Sequence, residues 1–412
     1  MSKHSIPLTD WLADAGLRNM SLEEILDGFS RRLNDLGVPM ARAFVGMNTL
    51  HPMVRARGRI WDRAAREITH FEFSHAGIDV AMVRESPFAP MLRDGVVERR
   101  CDLADAATVK GVPVFEELQA AGMTEWLGRV FPMGELVPQV GWTVEADHSE
   151  RLALVCSLTT DRPGGYSEAD LEVLKQTLPV FALAVKAVTM RAIGHGLLAA
   201  YLGAGPAGRV FAGTVQRGEV LSVEAVLFYT DLRGFTAIAD TTPGKELIAL
   251  LDECFECMAT PVVRHGGEVL KFMGDGLLAA FAVHPAGRAE VCAAALEAAT
   301  EALALIEALN ARRRAAGQQT AGLDLSLHIG TVQYGNVGTA QRLDFTVIGP
   351  AVNEASRIEK LCEPLGHSLL VSQSFAEAAT TIRHRLVSLG RHRLRGVREE
   401  TELFALAPVQ PL

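Results

Sequence analysis

Residues 226–236 read Val-Leu-Phe-Tyr-Thr-Asp-Leu-Arg-Gly-Phe-Thr, and residues 268–281 read Glu-Val-Leu-Lys-Phe-Met-Gly-Asp-Gly-Leu-Leu-Ala-Ala-Phe. Each reads as an apolar strand with one carboxylate, Asp231 or Asp275, where the chain is expected to turn. A solitary carboxylate at the end of a buried strand is costly without a cation or a partner, so a chain that does this twice must compensate both. One helix and one strand separate the two, so the second strand can return beside the first and bring both carboxylates to one sheet edge. Two carboxylates so placed are what a two-metal phosphoryl-transfer site requires. Taken singly, each also reads as turn chemistry, because Gly-Asp-Gly suits a tight turn.

The elements around this pair follow a regular order. A strand over Val223–Thr230 leads into the Asp231 turn, then a helix with Thr242 at its N-cap and Pro243 at its first position. The hairpin Glu268–Phe281 turns at Met-Gly-Asp-Gly (273–276), and an Ala-rich helix covers 286–316. Strands at Leu323–Gly330 and Leu343–Ile348, a helix at Pro350–Leu361 and short strands at 368–371, 385–389 and 402–406 complete the region. This order predicts an α+β fold with helices over an antiparallel-rich sheet.

Upstream, residues 20–190 alternate short strands, such as Arg151–Leu158, with helical patterns. Ser167-Glu-Ala-Asp170 reads as a capping box opening a long helix. Leu171, Leu174, Leu178, Phe181, Val185 and Val188 then form a coiled-coil-like seam that Pro179 would kink. Glycines at 194, 196, 203, 205, 208 and 213 mark a segmented linker to Glu219. A seam feeding a jointed linker suits transmission between domains, and equally suits a plain dimerising helix with a loop after it. The division expected is a domain over 1–190, a helical linker over 191–219 and a catalytic domain over 220–408.

The net charge of −9 over 412 residues argues against a nucleic-acid binder that relies on a basic surface. The most apolar stretch, Leu178–Leu198, is broken by Lys186, Arg191 and His195, so no membrane span is expected. The start, Met-Ser-Lys-His-Ser-Ile-Pro, lacks the apolar run of a secretory signal, and a cytoplasmic location is expected. Cys254 and Cys257 form a Cys-x-x-Cys, but they fall within the helical pattern Leu247, Leu250, Leu251, Cys254, Phe255, Met258 and read as packing thiols.

Three segments together, Phe-Tyr-Thr-Asp-Leu-Arg-Gly-Phe-Thr (228–236), Leu-Lys-Phe-Met-Gly-Asp-Gly (270–276) and Asp-Phe-Thr-Val-Ile-Gly-Pro-Ala-Val-Asn-Glu-Ala-Ser-Arg (344–357), resemble the class III nucleotidyl cyclase catalytic domain. The resemblance covers 220–408 and implies a ferredoxin-like fold. It implies that Asp231 and Asp275 bind two Mg²⁺ or Mn²⁺ ions, with the Leu232 carbonyl as a further ligand, and that Gly234, Phe235 and Thr236 turn backbone amides toward phosphate. Lys271 matches the lysine that selects the base, and Thr346 occupies the position of its partner. Asn353 matches the residue that orients the ribose, and Arg357 the one that stabilises the transition state. Leu-Arg-Gly-Val (394–397) resembles a Leu-Lys-Gly segment that meets the terminal phosphates, so Arg395 is a phosphate-binding candidate. Arg342 reads as part of a solvated face. In this family the metal aspartates come from one subunit and the base, ribose and transition-state residues from the other, which implies a head-to-tail homodimer with two composite sites.

Base chemistry points to ATP. Adenine offers an acceptor at N1 and a donor at N6, which a Lys ammonium and a Thr hydroxyl complement. Guanine carries a proton on N1 and would set donor against donor at Lys271. The resemblance therefore implies an adenylate cyclase, with a guanylate cyclase or a catalytically inactive nucleotide-sensing module as alternatives. Thr346 stands where many members carry Asp, a form similar to a subgroup that includes bicarbonate-responsive cyclases. A diguanylate cyclase would need a Gly-Gly-Asp/Glu-Glu-Phe hairpin, which Met-Gly-Asp-Gly is not.

The N-terminal half carries no catalytic constellation. Thr-Asp-Arg-Pro-Gly-Gly-Tyr-Ser-Glu-Ala-Asp-Leu (160–171) before a long helix resembles the close of an α/β GAF-type sensory domain, and Leu-Glu-Glu-Ile-Leu (22–26) fits its leading helix. A small-molecule effector of that domain is implied. Trp61, Phe71, Phe73, His75, Trp126 and Trp142 read either as core or as a pocket lining, and His51 and His75 lack metal-ligand spacing.

Overall fold

The computed structural model describes residues 6–49, 52–65, 67–74, 85–133, 153–216, 218–283, 287–339, 341–396 and 400–407. The chain divides into two units, Met1–Ala200 and Tyr201–Leu412.

In the first unit helices Ile6–Leu17 and Leu22–Asp35 precede strands β1 (Arg42–Asn48), β2 (Val54–Asp62), β3 (Ile68–Ser74), β4 (Glu98–Asp102), β5 (Glu125–Pro132) and β6 (Ala153–Thr160). The strands form one sheet in the order β3-β2-β1-β6-β5-β4, every neighbouring pair antiparallel. Ser21 and Glu24 close a capping box on helix Leu22–Asp35, and its buried Phe29 stacks on Phe181 at 4.3 Å. Trp61 and Trp126 are core residues: the Trp61 indole donates to Asp27 at 2.8 Å, and Trp126 packs edge-on against Phe115 at 5.1 Å. Phe71 and Phe73 are half-buried on β3, while His51, His75 and Trp142 lie outside the described residues.

Helix Glu168–Leu202 opens on the expected capping box, with the Ser167 amide donating to Asp170 at 2.7 Å and the Asp170 amide donating to Ser167 Oγ at 3.3 Å. Two expectations fail along it. Leu174, Leu178, Phe181 and Val185 are buried in this unit's own core, so the first half of the seam is spent within the domain. The helix also runs through Gly194 and Gly196 without a joint and stops only before Gly203, whose φ of +91° ends it, so the helical linker begins as a continuation of this helix. An 18-residue stretch of it, with a mean hydropathy of 1.4, is long and apolar enough to cross a membrane by length and composition alone, and 33% of that stretch is buried.

The second unit holds strands β7 (Val220–Arg233), β8 (Glu268–Met273), β9 (Gly276–Ala282), β10 (Gly322–Gly338), β11 (Leu343–Ile348), β12 (Leu369–Ser372), β13 (Leu386–His392) and β14 (Thr401–Leu406). Their order is β13-β14-β12-β10-β7-β9-β8, with β11 also paired to β10. β7 and β10 form the spine, paired antiparallel from Arg233↔Gly322 to Val220↔Gly335. Alternation along β7 sends Val226 and Phe228 to one face and Ala225 and Leu227 to the other, and both faces are covered. Helices Gly244–Arg264 and Arg288–Ala315 cover the first face through Leu250, Cys254, Met258, Ala295, Ala299 and Ala302. Helix Pro350–Glu359 covers the second through Ala351 and Ala355. The result is a mixed α+β layered fold. Thr242 caps the C-terminus of the short helix Phe235–Thr241 instead, and the N-cap of helix Gly244–Arg264 is Pro243.

Cys254 is buried in the core against Leu250 and Met258, and burial pushes its thiol up to about 12. The packing reading of the Cys-x-x-Cys stands.

The segment before β7 is folded onto this unit. Tyr334 on β10 donates its hydroxyl to Glu268 on β8 at 3.0 Å, and Arg209 of helix Ala204–Phe211 lies 5.1 Å over the Tyr334 ring. A side chain on Gly205 would start 2.0 Å from the Glu268 carboxylate, which would have to swing aside to admit it. Asn336 donates to the Thr214 carbonyl at 3.0 Å.

Candidate active site

The two carboxylates meet. β7 and β9 are antiparallel neighbours, and the turn Gly274–Asp275 that joins β8 to β9 lies against the end of β7. Glycine is required on both sides of Asp275. Gly274 has a φ of +67°, and a side chain on Gly276 would start 2.4 Å from the Thr230 carbonyl and 3.1 Å from Asp231 Oδ1. Burial, reinforced by the nearby Asp275 carboxylate, raises the Asp231 carboxyl from an ordinary 3.8 to about 6.

Asp231 is neither at a turn nor solitary. β7 continues through Leu232 and Arg233, and Asp231 stands opposite Asp324 of β10 in register. Asp324 is buried and paired through both carboxylate oxygens with the Arg233 guanidinium, whose Nε lies 3.2 Å from Oδ2. Glu359, the last residue of helix Pro350–Glu359, is also buried. Its carboxyl is raised to about 7, first by burial and then by the Asp231 and Asp324 charges, and its Oε2 has no hydrogen-bond partner. Sequence reading missed both residues, though each left a mark. Asp324 interrupts the apolar run Leu-Asp-Leu-Ser-Leu (323–327) as Asp231 interrupts its own. Glu359 ends the run Ala351, Ala355, Ile358, Glu359 on the buried side of its helix.

These donors fit a small divalent cation. The opposed carboxylates and the unpaired Glu359 oxygen leave the edge of β7 rich in negative charge. Among the described residues no cluster of three His, Cys, Asp or Glu is set to hold an ion alone. Mg²⁺ suits such a place, because it takes one or two carboxylates and completes its shell with water and substrate phosphates.

A second cluster forms around Lys271. Its Nζ donates to Asp344 Oδ2 at 2.8 Å, and this contact holds the Asp344 carboxyl below its usual range. Thr346 follows two residues later on β11, half-buried. Phe345 between them is buried edge-on against Tyr334 at 4.9 Å, which turns Asp344 and Thr346 together to the opposite face. Lys271 was expected to act with Thr346, and Asp344 is its ion-pair partner.

Asn353 is exposed and Arg357 half-buried on helix Pro350–Glu359. The Arg357 guanidinium passes beside Gly396, 3.5 Å from where a side chain there would start, and Arg395 is exposed next to it. Gly234 has a φ of +69° and is the N-cap of helix Phe235–Thr241, which places Phe235 and Thr236 in its first turn. Arg342 is exposed, as expected. Among the described residues no hydrogen bond or ion pair joins Asp231 or Asp275 to Lys271, Asn353 or Arg357.

Comparison with known proteins agrees in extent with the second unit. The chain is 32% identical over 154 residues to Adenylate cyclase 1 of Rhizobium meliloti (strain 1021), covering 36% of this chain and 22% of that protein. It is 30% identical over 164 residues to Adenylate cyclase of Anabaena cylindrica, covering 39% and 32%. The chain thus spans a third or less of the length of these curated relatives. Among solved structures, the adenylyl cyclase CyaB from P. aeruginosa matches at 24% identity with a TM-score of 0.42, covering 47% of this chain and 97% of that one. Residues 221–408 match the family described as the Adenylate and Guanylate cyclase catalytic domain.

Proposed function

We propose that the protein is an adenylate cyclase that converts ATP to 3′,5′-cyclic AMP and pyrophosphate. The observation that carries the reading is the approach of the Gly274–Asp275 turn to Asp231, which gathers two opposed carboxylates at one strand end. In this reading Asp231 and Asp275, with the Leu232 carbonyl, hold two Mg²⁺ or Mn²⁺ ions. Bound divalent ions supply neutralising charge at the phosphates and lower the pKa of the ribose hydroxyl.

The remaining work falls to positioning. The amides of Gly234, Phe235 and Thr236 face phosphate oxygens. Lys271 donates to adenine N1, and the Thr346 hydroxyl accepts from N6. Asn353 orients the ribose so that the 3′-oxygen attacks the α-phosphorus in line with the departing pyrophosphate. Arg357 neutralises charge developing on the α-phosphoryl group, and Arg395 pairs with the terminal phosphates. The metal aspartates of one protomer and the base and ribose residues of its partner complete two sites in a homodimer. The N-terminal unit is a GAF-type regulatory domain with a small-molecule effector, the helical segment after it transmits the signal, and the protein works in the cytoplasm. Thr346 extends the proposal to stimulation by bicarbonate, read as a change in rate at fixed pH.

The deciding experiment supplies ATP and GTP separately to the full chain with Mg²⁺ or Mn²⁺ and identifies the product. Cyclic AMP from ATP alone is expected. Cyclic GMP alone overturns the base assignment. No product from either nucleotide, from the full chain or from residues 201–412, overturns the enzymatic reading.

A further inference from the structure

We propose that a cleft beside His328 in the second unit is a binding site for an aliphatic diamine, with Glu354 and Glu377 each taking one ammonium group. Nucleotide turnover has no part in this binding.

The cleft has a volume of about 440 Å³, within the range of small-molecule sites. It lies where β10, the start of helix Pro350–Glu359 and the residues from Ser372 onward meet. His328, buried on β10, lines it. One assignment of protons satisfies every contact around that ring. Ser374 Oγ donates to the Ile329 carbonyl at 3.1 Å, which commits its one proton. Ser372 Oγ, 3.0 Å from Ser374 Oγ, is then the donor between the two hydroxyls. Ser372 Oγ also accepts from the Phe375 amide at 3.2 Å. Its own proton being placed, the contact of 3.0 Å between His328 Nδ1 and Ser372 Oγ requires a proton on Nδ1. Burial lowers the imidazole to about 4, so at neutral pH the ring is uncharged and Nε2 keeps a bare lone pair.

That lone pair has no donor to meet. The Glu354 carboxylate lies 3.7 Å from Nε2, beyond a hydrogen bond, and among the described residues no group hydrogen-bonds to this nitrogen. Gly330 keeps it uncovered, because a side chain there would start 3.2 Å from Nε2 and 2.8 Å from Ala351 Cβ.

The charge of the lining selects the ligand. Glu354 and Glu377 are the only charged side chains that line the cleft, and among the described residues neither is paired with Lys or Arg. Burial raises the Glu354 carboxyl, and an ammonium ion beside it would offset that rise. Among the described residues no three His, Cys, Asp or Glu converge to hold a metal ion, which favours an ammonium N–H as the donor these acceptors lack. Ile329, Pro350 and Ala351 supply apolar surface for a short methylene chain between the two ends.

The test is calorimetric titration of the full chain, in EDTA at fixed salt, with putrescine, n-butylamine and butanediol. Putrescine is expected to bind at least about 10-fold more tightly than n-butylamine, and butanediol not to bind. Glu354→Gln and Glu377→Gln keep the size of each side chain, and each is expected to weaken putrescine about 10-fold. Glu307→Gln, at an exposed position of the same unit, controls for non-specific attraction and should leave the affinity within about 2-fold. NMR of the His328 ring nitrogens should show the proton on Nδ1, and an Nε2 resonance that moves when putrescine binds. The wild-type titrations and spectra stand whether or not a variant folds. Putrescine that fails to bind, or binds no more tightly than n-butylamine, overturns the proposal. So does an unchanged affinity in either cleft variant, an equal loss in Glu307→Gln, or a proton on Nε2.

Discussion

Gly276 sits so close to β7 that the first atom of any side chain there would lie 2.4 Å from the Thr230 carbonyl and 3.1 Å from Asp231 Oδ1. This absence of a side chain brings the Asp275 turn down onto Asp231. Gly276→Ala must push the hairpin away from β7. The expected cost is about 1–3 kcal/mol of stability, read as a lower midpoint in urea. Turnover should fall at least about 10-fold, because the two carboxylates separate. Wild-type rates in Gly276→Ala would mean that the spacing of this pair does not matter.

Asp275→Ala removes one of the opposed carboxylates. Cyclic nucleotide formation should drop by more than about 10³-fold while the circular dichroism spectrum is kept. The remaining carboxyl, Asp231, should return toward the ordinary range, since Asp275 is a cause of its elevation after burial. An NMR titration of Asp231 in the metal-free variant checks this.

The shift at Asp231 also sets the sign of a pH effect. Its carboxyl is raised from 3.8 to about 6, so between those values the folded chain keeps a proton that the unfolded chain has released. Metal-free stability should therefore decline as pH rises through this window. Mn²⁺ must displace that proton, so its stabilising effect should be small near about pH 5 and large near about pH 7.5. Thermal melts with Mn²⁺ and with EDTA at the two pH values test the prediction. An equal shift at both would contradict it.

His328 gives a dependence of opposite sense. It is buried on β10, its Nδ1 lies 3.0 Å from Ser372 Oγ, and burial lowers its imidazole from 6.5 to about 4. The unfolded chain binds this proton first, so stability is full above about pH 6.5 and is lost on acidification toward about pH 4. The loss amounts to about 3 kcal/mol at most. His328→Asn should flatten this part of the pH–stability profile, whatever it does at neutral pH.

Much of the second unit was legible because its sequence is locally consistent. The hairpin at 273–276 and strand Leu343–Ile348 lie where alternation and turn residues put them. Boundaries failed where sequence carries little signal. β7 overruns Asp231 because pairing with β10 continues to Arg233, a long-range fact that no local pattern holds. The partner of Lys271 was also beyond reach, since the register shift between Val269 and Lys271 is a property of two strands together. Helix Glu168–Leu202 misled for a different reason. Its apolar spacing is that of a coiled coil, and the pattern alone does not say that Phe29 and its neighbours bury the first half of it.

The clasp made by Arg209, Tyr334, Glu268 and Gly205 bears on where this chain can be cut. The match to the family begins at residue 221, yet Asn336 donates to Thr214 and the ring of Tyr334 lies beneath Arg209. A polypeptide trimmed to the sequence match would strip Asn336 of its acceptor and uncover one side of the Glu268–Tyr334 pair, on the same strand as Lys271. Excision at about Tyr201, where the compact unit begins, preserves these partners. A short fragment that proved sluggish or insoluble would therefore report a torn edge rather than a missing activator.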